Sequence, residues 1–373
     1  MWQNYYSVTS VDEALKLLSE YGERSRIVAG ATDLILEIER GVRKGIDVLI
    51  DISRVPCLDE ICMDEDGIIH LGPMVTHNHC VASKLIVECA LPLAQAAWEV
   101  GAPQIRNRGT VAGNLITASP ANDTITPLMA MGAQVSLASL HGERLVPLAE
   151  FYTGVRKTVM RPDEMLVDIR FSALKPEQRG AFIKMGLRRA QAISVVNAAV
   201  VLTLTNGSRP KVRDVAITLG SVAPTIVHAQ NAEIYLQDRE LSAVVIAYAA
   251  ELAGKAAQPI DDVRSPADYR SEMVRVGVSR LLNHIWQGDE RASFPAKPIL
   301  LSGKPHELAQ LPHSFQHQSG VLDRSGVLDR SGTPIETRIN GKEYTFSTGQ
   351  DKTLLRLLRE EALLTGTKEG CAE

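Results

Sequence analysis

Residues 101–128 read Gly-Ala-Pro-Gln-Ile-Arg-Asn-Arg-Gly-Thr-Val-Ala-Gly-Asn-Leu-Ile-Thr-Ala-Ser-Pro-Ala-Asn-Asp-Thr-Ile-Thr-Pro-Leu, with three glycines, four threonines, two arginines and Asp123. The stretch is too irregular for one helix or strand. Gly109 and Gly113 bring main chain close to a ligand because a missing Cβ removes both a steric wall and the usual φ limits. Exposed N–H groups in such a loop make a concavity suited to a pyrophosphate. Thr110, Asn114, Thr117 and Ser119 add neutral donors, and Asp123 is a candidate acceptor for a ribose or an adenine amino group. A single Gly-x-x-x-Gly is more often a polar surface loop, so the reading depends on a second loop of the same kind.

That second loop is Ile27-Val-Ala-Gly-Ala-Thr-Asp-Leu34. Ser10 and Glu13 read as a capping box, Val11, Ala14, Leu15 and Leu18 as the apolar stripe of the helix it opens, and Gly22 as its stop. A short strand at 26–29 then delivers Gly30. Small residues at 30–32 let a phosphate meet successive N–H groups, and the charge of Asp33 suits the start of the next helix. The Gly-x-Gly-x-x-Gly spacing of a Rossmann turn is absent. A dinucleotide site here belongs to another fold.

Taken together, the two loops resemble those of the FAD-binding subunit of the molybdenum hydroxylases, the xanthine dehydrogenase and carbon monoxide dehydrogenase family. The resemblance spans residues 1–290, and 114–120 followed by Asp123 is close to the family pattern. It implies that Ile27, Val28, Ala29, Gly30, Ala31, Thr32, Asp33 and Leu34 grip the FAD pyrophosphate with Gly109, Thr110, Val111, Ala112, Gly113 and Asn114, and that Thr117 and Asp123 add polar contacts. Further segments similar to the family are 161–166, 181–184 and 188–197. They imply that Met165 or Leu166 and Lys184 touch FAD and that Ile193 lies near the isoalloxazine face. Ala31 and Ala112 stand where relatives often carry a second glycine, Val100 where the animal xanthine dehydrogenases carry an aromatic residue, and Gln191 where some relatives hold an acid near the flavin.

The fold class implied is α+β: a two-subdomain FAD-binding fold of the vanillyl-alcohol-oxidase (PCMH) type over 1–175, and a smaller α+β domain like the carbon monoxide dehydrogenase flavoprotein C-terminal domain over 176–290. Periodicity is compatible with this, with strands expected at 48–52, 68–71, 198–205 and 215–220 and helices at 91–100, 241–253 and 271–286. By the same resemblance the chain is an electron-transfer subunit without a catalytic side chain of its own. It takes electrons from [2Fe-2S] clusters and passes them through FAD to NAD or another acceptor. The partners implied are a molybdopterin-containing large subunit and a [2Fe-2S] subunit or domain. Two other readings stay open: a self-contained FAD oxidoreductase of the related fold, and a non-catalytic scaffold whose loops have degenerated.

Composition sets limits. A chain of 373 residues, 45% hydrophobic, supports two or three domains with a sizeable core. A net charge of −4 gives no reason to expect nucleic-acid binding. Neither an apolar leader nor an 18-residue apolar run is present, so no membrane span and a cytoplasmic location are expected. Five irregularly spaced cysteines argue against a disulfide framework. His77-Asn-His79-Cys80 carries ligand-like residue types, but positions two apart do not share a helix face, and no metal site is expected there.

Residues 291–332 read as a linker, with an identical six-residue repeat at 319–324 and 325–330. Residues 333–373 then begin with a hairpin around Asn340-Gly341 and an amphipathic helix at 353–361. The following Gly366-Thr-Lys-Glu-Gly-Cys371 is similar to the segment carrying the first ligand of a plant-type [2Fe-2S] domain. Cys371 is therefore the candidate first ligand of a site incomplete in this chain, with the cluster held only if the chain continued past residue 373.

Overall fold

The computed structural model describes residues 2–300, 334–346, 353–364 and 366–367. Residues 1–302 and 303–373 form two separate units. Near the N-terminus the Glu13 amide donates to Ser10 Oγ at 3.2 Å, while the Glu13 carboxylate accepts from the Thr9 amide at 3.0 Å. The capping box thus forms with its return bond shifted by one residue. Helix α1 (Val11–Tyr21) buries Ala14, Leu15 and Leu18 and ends at Gly22, where φ is +50°. Strands β1 (Asn4–Ser7), β2 (Ser25–Val28) and β3 (Val48–Asp51) pair in parallel in the order β1-β3-β2. Alternation along β3 sends Val48 and Ile50 to the core beneath α1 and Leu49 to the opposite face, against helix α2 (Leu34–Glu39). A parallel sheet covered on both faces is the usual outcome for such apolar strands.

The second layer is antiparallel. Strands β4 (Ile61–Met63), β5 (Ile68–Leu71), β6 (Gln134–Ser139), β7 (Gly142–Pro147) and β10 (Met165–Ser172) adopt the order β4-β5-β10-β6-β7, with the small hairpin β8 (Tyr152–Gly154) and β9 (Lys157–Thr158) intervening in sequence. Between β5 and β6 run six short helices: α3 (His77–Ala82), α4 (Lys84–Cys89), α5 (Leu91–Glu99), α6 (Pro103–Arg108), α7 (Val111–Thr117) and α8 (Ile125–Ala130). Residues 101–128 are therefore mostly helical turns joined at tight corners. Helix α9 (Leu148–Phe151) closes this core with Phe151 fully buried.

The third part is the sheet β11 (Gln178–Gly186), β12 (Ser194–Leu204), β13 (Val212–Gly220) and β14 (Val227–His228), in that order. Helices α10 (Gln230–Leu236), α11 (Ala243–Ala256) and α12 (Ala267–Gln287) cover one face. The other face meets Ala96 of α5 and Ala130 of α8 through Phe182, Ala199 and Val201. Polar bonds pin this junction: the Phe182 amide donates to Gln95 Oε1 at 2.8 Å and Thr126 Oγ1 to Asn197 Oδ1 at 2.6 Å. With helices on both faces, β12 is buried at nearly every position.

After α12 the chain returns over the helical layer. Arg291 donates to the carbonyls of Val87 (2.8 Å) and Glu88 (3.1 Å), and Phe294 and Leu300 pack on the second-layer core. The segment expected as a linker from residue 291 thus begins as a strap. In the second unit, β15 (Ile335–Ile339) and β16 (Lys342–Phe346) form the expected hairpin, with φ of +52° at Asn340 and +81° at Gly341. A helical turn at Leu354–Arg356 continues as a wider turn over Leu357–Glu361. The hexapeptide repeat and Cys371 lie outside the described residues. Among the described residues no helix is long and apolar enough to cross a membrane, and no group of three or more His, Cys, Asp or Glu is placed to hold a metal.

Candidate functional site

Strand β2 ends at Val28 and hands over to the loop that holds Gly30. A Cβ built on Gly30 would lie 2.0 Å from the Arg108 carbonyl oxygen and 3.1 Å from Gly109 Cα. Only glycine lets the two loops, 79 residues apart in sequence, touch through their backbones. The second loop is fixed in turn to α3: the His77 amide donates to Gly109 O (3.1 Å), the Val111 amide to Val75 O (2.9 Å), and Thr76 pairs with Thr110. Thr110 caps α7, its Oγ1 accepting from the Gly113 amide at 2.9 Å.

A cavity of about 610 Å³ opens between these loops, within the range of roughly 300–1,000 Å³ for small-molecule sites. Its floor is the loop pair and its walls are aliphatic: Val100, Ile105 and Ile116 on the helical side, Met160, Met165 and Leu166 on the β10 side. Pairing of β10 with β6 slips between Leu166 and Asp168, the irregularity falling where β10 reaches the wall. Arg106 sets the helical wall. It is buried, stacks 4.4 Å over the Trp98 ring, and donates to Trp98 O (3.0 Å) and Val100 O (3.4 Å) at the end of α5.

The mouth is charged. Glu37 accepts from Arg156 at 2.6 Å and from Arg43, and Glu164 takes Arg144 in a two-pronged pair at 2.6 and 2.9 Å. Arg26 donates to the carbonyls of Glu23 (2.9 Å) and Ser25 (2.6 Å) rather than to a carboxylate. Burial, then the neighbouring Arg43, lowers the Arg26 pKa. Burial, then Glu37, raises that of Asp33. A cation that donates its hydrogen bonds to carbonyls, on a wall beside glycine main chain, suits an anionic ligand.

Behind the wall lies a buried ion pair. Lys184 Nζ is 2.6 Å from Asp123 Oδ2 and donates to Glu99 O at 2.9 Å, with both side chains almost fully covered. Burial pushes the Asp123 carboxyl up to about 6, against the pull of Lys184. Among the described residues, His77 Nδ1 is buried without a hydrogen-bond partner, and the Asn197 side chain also helps to hold the Asp123 carboxyl down.

Residues 2–173 match the family model described as the FAD binding domain in molybdopterin dehydrogenase, and residues 181–285 match the CO dehydrogenase flavoprotein C-terminal domain. The chain is 33% identical over 279 residues to the 6-hydroxypseudooxynicotine dehydrogenase complex subunit alpha of Paenarthrobacter nicotinovorans, covering 75% of this chain and 93% of that protein. It is 31% identical over 283 residues to the carbon monoxide dehydrogenase medium chain of Hydrogenophaga pseudoflava, covering 76% and 96%. The chain belongs to the FAD-binding subunits of the molybdenum hydroxylases. Its fold agrees with this. A structure of carbon monoxide dehydrogenase from Hydrogenophaga pseudoflava superposes with a TM-score of 0.72 at 30% identity, covering 77% of this chain and 98% of that one. Quinoline 2-oxidoreductase from Pseudomonas putida 86 gives 0.72 at 25% identity, covering 78% and 98%.

In this FAD-binding subunit the cavity is lined by most of the residues singled out from sequence: Ile27, Ala29, Gly30, Ala31, Thr32, Asp33 and Leu34, then Gly109, Thr110, Ala112, Gly113, Asn114 and Thr117, and both Met165 and Leu166. Five are placed elsewhere. Val28 and Val111 are buried in the packing, Asp123 and Lys184 pair with each other, and Ile193 is 65% exposed and off the cavity wall. Gln191 also stands away from it, its amide donating to Gly101 O at 2.9 Å. The amide of Gly113, expected to face a phosphate, is taken by the Thr110 cap. Sequence reasoning missed His77, Arg26, Glu37, Arg43 and Arg156. Arg26, Glu37 and Arg43 lie near the first loop in sequence but look there like ordinary surface charges, whereas His77 and Arg156 reach the site from distant segments.

The residues present fit the cofactor. The Gly30 cradle admits no Cβ, Arg26 at the mouth bonds carbonyls and no carboxylate and can face the pyrophosphate, and the buried His77 ring lies on the cavity wall.

Proposed function

We propose that this cavity is the FAD site and that the subunit carries electrons between a [2Fe-2S] centre on a partner and NAD or another acceptor. The observation that carries the reading is the Gly30 contact with Arg108 and Gly109, which joins both loops into one cradle at the cavity floor. Bound FAD supplies both one-electron and two-electron redox chemistry, and the protein supplies position and electrostatics. Here the loops hold the pyrophosphate, Arg26 balances its charge, and Val100, Ile105 and Ile116 give an aliphatic surface to a ring. Asp123 and Lys184 support the wall by their ion pair.

The partners in this proposal are a molybdopterin-containing large subunit and a [2Fe-2S] subunit or domain, in the cytoplasm. Support comes from relatives named as a dehydrogenase complex subunit and a medium chain. The second unit, with its Asn340-Gly341 hairpin, is read as the opening of a [2Fe-2S] ferredoxin-type domain on the strength of the sequence resemblance around residues 366–371.

The purified chain, supplied with FAD and freed of excess, should show the absorption bands of bound flavin. A colourless protein that takes up none overturns the FAD reading. Bleaching of the bound flavin by a reduced [2Fe-2S] partner, and not by a small organic substrate alone, distinguishes an electron-transfer subunit from a self-contained flavoenzyme.

A further inference from the structure

His77 is the first residue of α3, only 2% exposed, and it lines the cavity. Its Nδ1 is sealed off and has no hydrogen-bond partner among the described residues. The ring rests against the loop junction: a Cβ on Gly109 would lie 3.3 Å from His77 Cδ2 and 3.6 Å from Nε2. Gly109 is also the residue that a Cβ on Gly30 would approach. The imidazole therefore sits where the two loops meet.

Neighbouring charges do not satisfy it. Arg106 donates to Asn78 Oδ1 at 3.2 Å and to carbonyls at the end of α5, and Lys184 is engaged by Asp123 and Glu99. Burial, with Arg106 and Lys184 adding to it, pushes the imidazole down to about 3, so the ring is neutral in the folded protein at physiological pH. A neutral imidazole has one donor and one acceptor to offer. Ring nitrogens in a buried site are nearly always paired, and with Nδ1 sealed off, Nε2 is the nitrogen that a group filling the cavity can reach.

We propose that His77 is a cofactor-binding residue whose imidazole, through Nε2, hydrogen-bonds a polar atom of FAD at the junction of the two loops. This rests on the reading of the cavity as the FAD site. The contact is made only with ligand present, so Nε2 gains in the loaded protein a bond that the empty one does not give it. Replacing the ring by an apolar one of similar size removes an unmet group from the empty form and a real bond from the loaded form.

The test uses the full chain freed of flavin, as wild type, His77→Phe and His77→Asn. FAD affinity is followed by flavin fluorescence, and thermal unfolding of the flavin-free forms is followed separately. His77→Phe should weaken FAD binding about tenfold, the equivalent of one net hydrogen bond, while its flavin-free midpoint stays level or rises. His77→Asn, whose shorter side chain keeps a hydrogen-bonding amide on the cavity wall, should recover part of the affinity. Failure of the wild type to bind FAD overturns the cavity reading and this inference together. Wild-type binding with equal affinity in all three chains overturns the role of His77 alone. So does a His77→Phe chain that unfolds more easily without flavin, together with unchanged affinity in His77→Asn, because both belong to a structural histidine.

Discussion

Gly30 and Arg108 touch so closely that a Cβ on the first would lie 2.0 Å from the carbonyl oxygen of the second. Neither side of this contact is a flexible side chain, so an added methyl has to be relieved by moving main chain. Gly30→Ala should force the loops apart and lower FAD affinity at least about a hundredfold, equivalent to about 2.7 kcal/mol. Equilibrium titration with FAD measures this, and near wild-type affinity would show that the loops are not the cradle.

Ala31 and Ala112, small residues in the two loops, look alike in sequence and differ in structure. Ala31 has φ of +60°, in the left-handed region, whereas Ala112 lies in the first turn of α7 and is 3% exposed. A non-glycine residue in the left-handed region is strained by about 1 kcal/mol, partly offset by the extra freedom glycine brings to the unfolded chain. Ala31→Gly should therefore be neutral to about 1 kcal/mol stabilising. Ala112→Gly should destabilise by about 1 kcal/mol through helix propensity. Denaturant unfolding of the flavin-free chain compares them; equal destabilisation by both would contradict the assigned backbone conformations.

What the sequence made legible was local. The Ser10 cap, the Gly22 stop, the Asn340-Gly341 turn and the glycines at 30 and 109 all announce themselves within a few residues, because caps, tight turns and close backbone approaches demand particular residue types. The insertion of β10 between β5 and β6 is a long-range pairing with no such signature. The same holds for Glu37 joining Arg156 across the mouth, and for Lys184 reaching Asp123 instead of lining the cavity. His77 was hidden for a related reason: in sequence it is one of several His and Cys near position 80, and only its burial and its missing partner set it apart.

The Asp123–Lys184 pair is deeply buried, and each charge depends on the other. Removing one partner of such a pair typically costs about 3–5 kcal/mol, whereas replacing both with apolar groups is often tolerated. Lys184→Met should destabilise the flavin-free chain by about this amount and raise the Asp123 pKa further, since Lys184 is the main influence holding it down. The double variant Asp123→Leu with Lys184→Met should recover most of the loss. A double-mutant cycle in denaturant measures the coupling, and additive losses would show that the pair does not act as a unit.

A second charge cluster gives the chain a pH signature far from the loops. On the sheet of β4, β5 and β10, His70 Nδ1 lies 2.7 Å from Asp168 Oδ2 and Nε2 lies 3.3 Å from Asp64 Oδ2. Burial, the largest single influence, works against the charged ring, yet the bonds to Asp168 and Asp64 together raise its pKa above the ordinary value of 6.5. The Asp64 carboxyl is held below 3.8, first by the Ile68 amide and also by His70. A histidine raised on folding contributes stability that is full below its unfolded pKa and is lost as pH rises through the folded one. A depressed carboxylate contributes above its unfolded pKa and loses that contribution as pH falls through the folded one. The clasp is therefore complete between about pH 4 and 6.5 and weakens on either side. His70→Gln should destabilise the chain most near pH 5 and progressively less above pH 7, measured as the difference in urea midpoint from wild type at each pH. A difference that stays constant from pH 5 to 9 would show that the ring acts by packing and not by its charge.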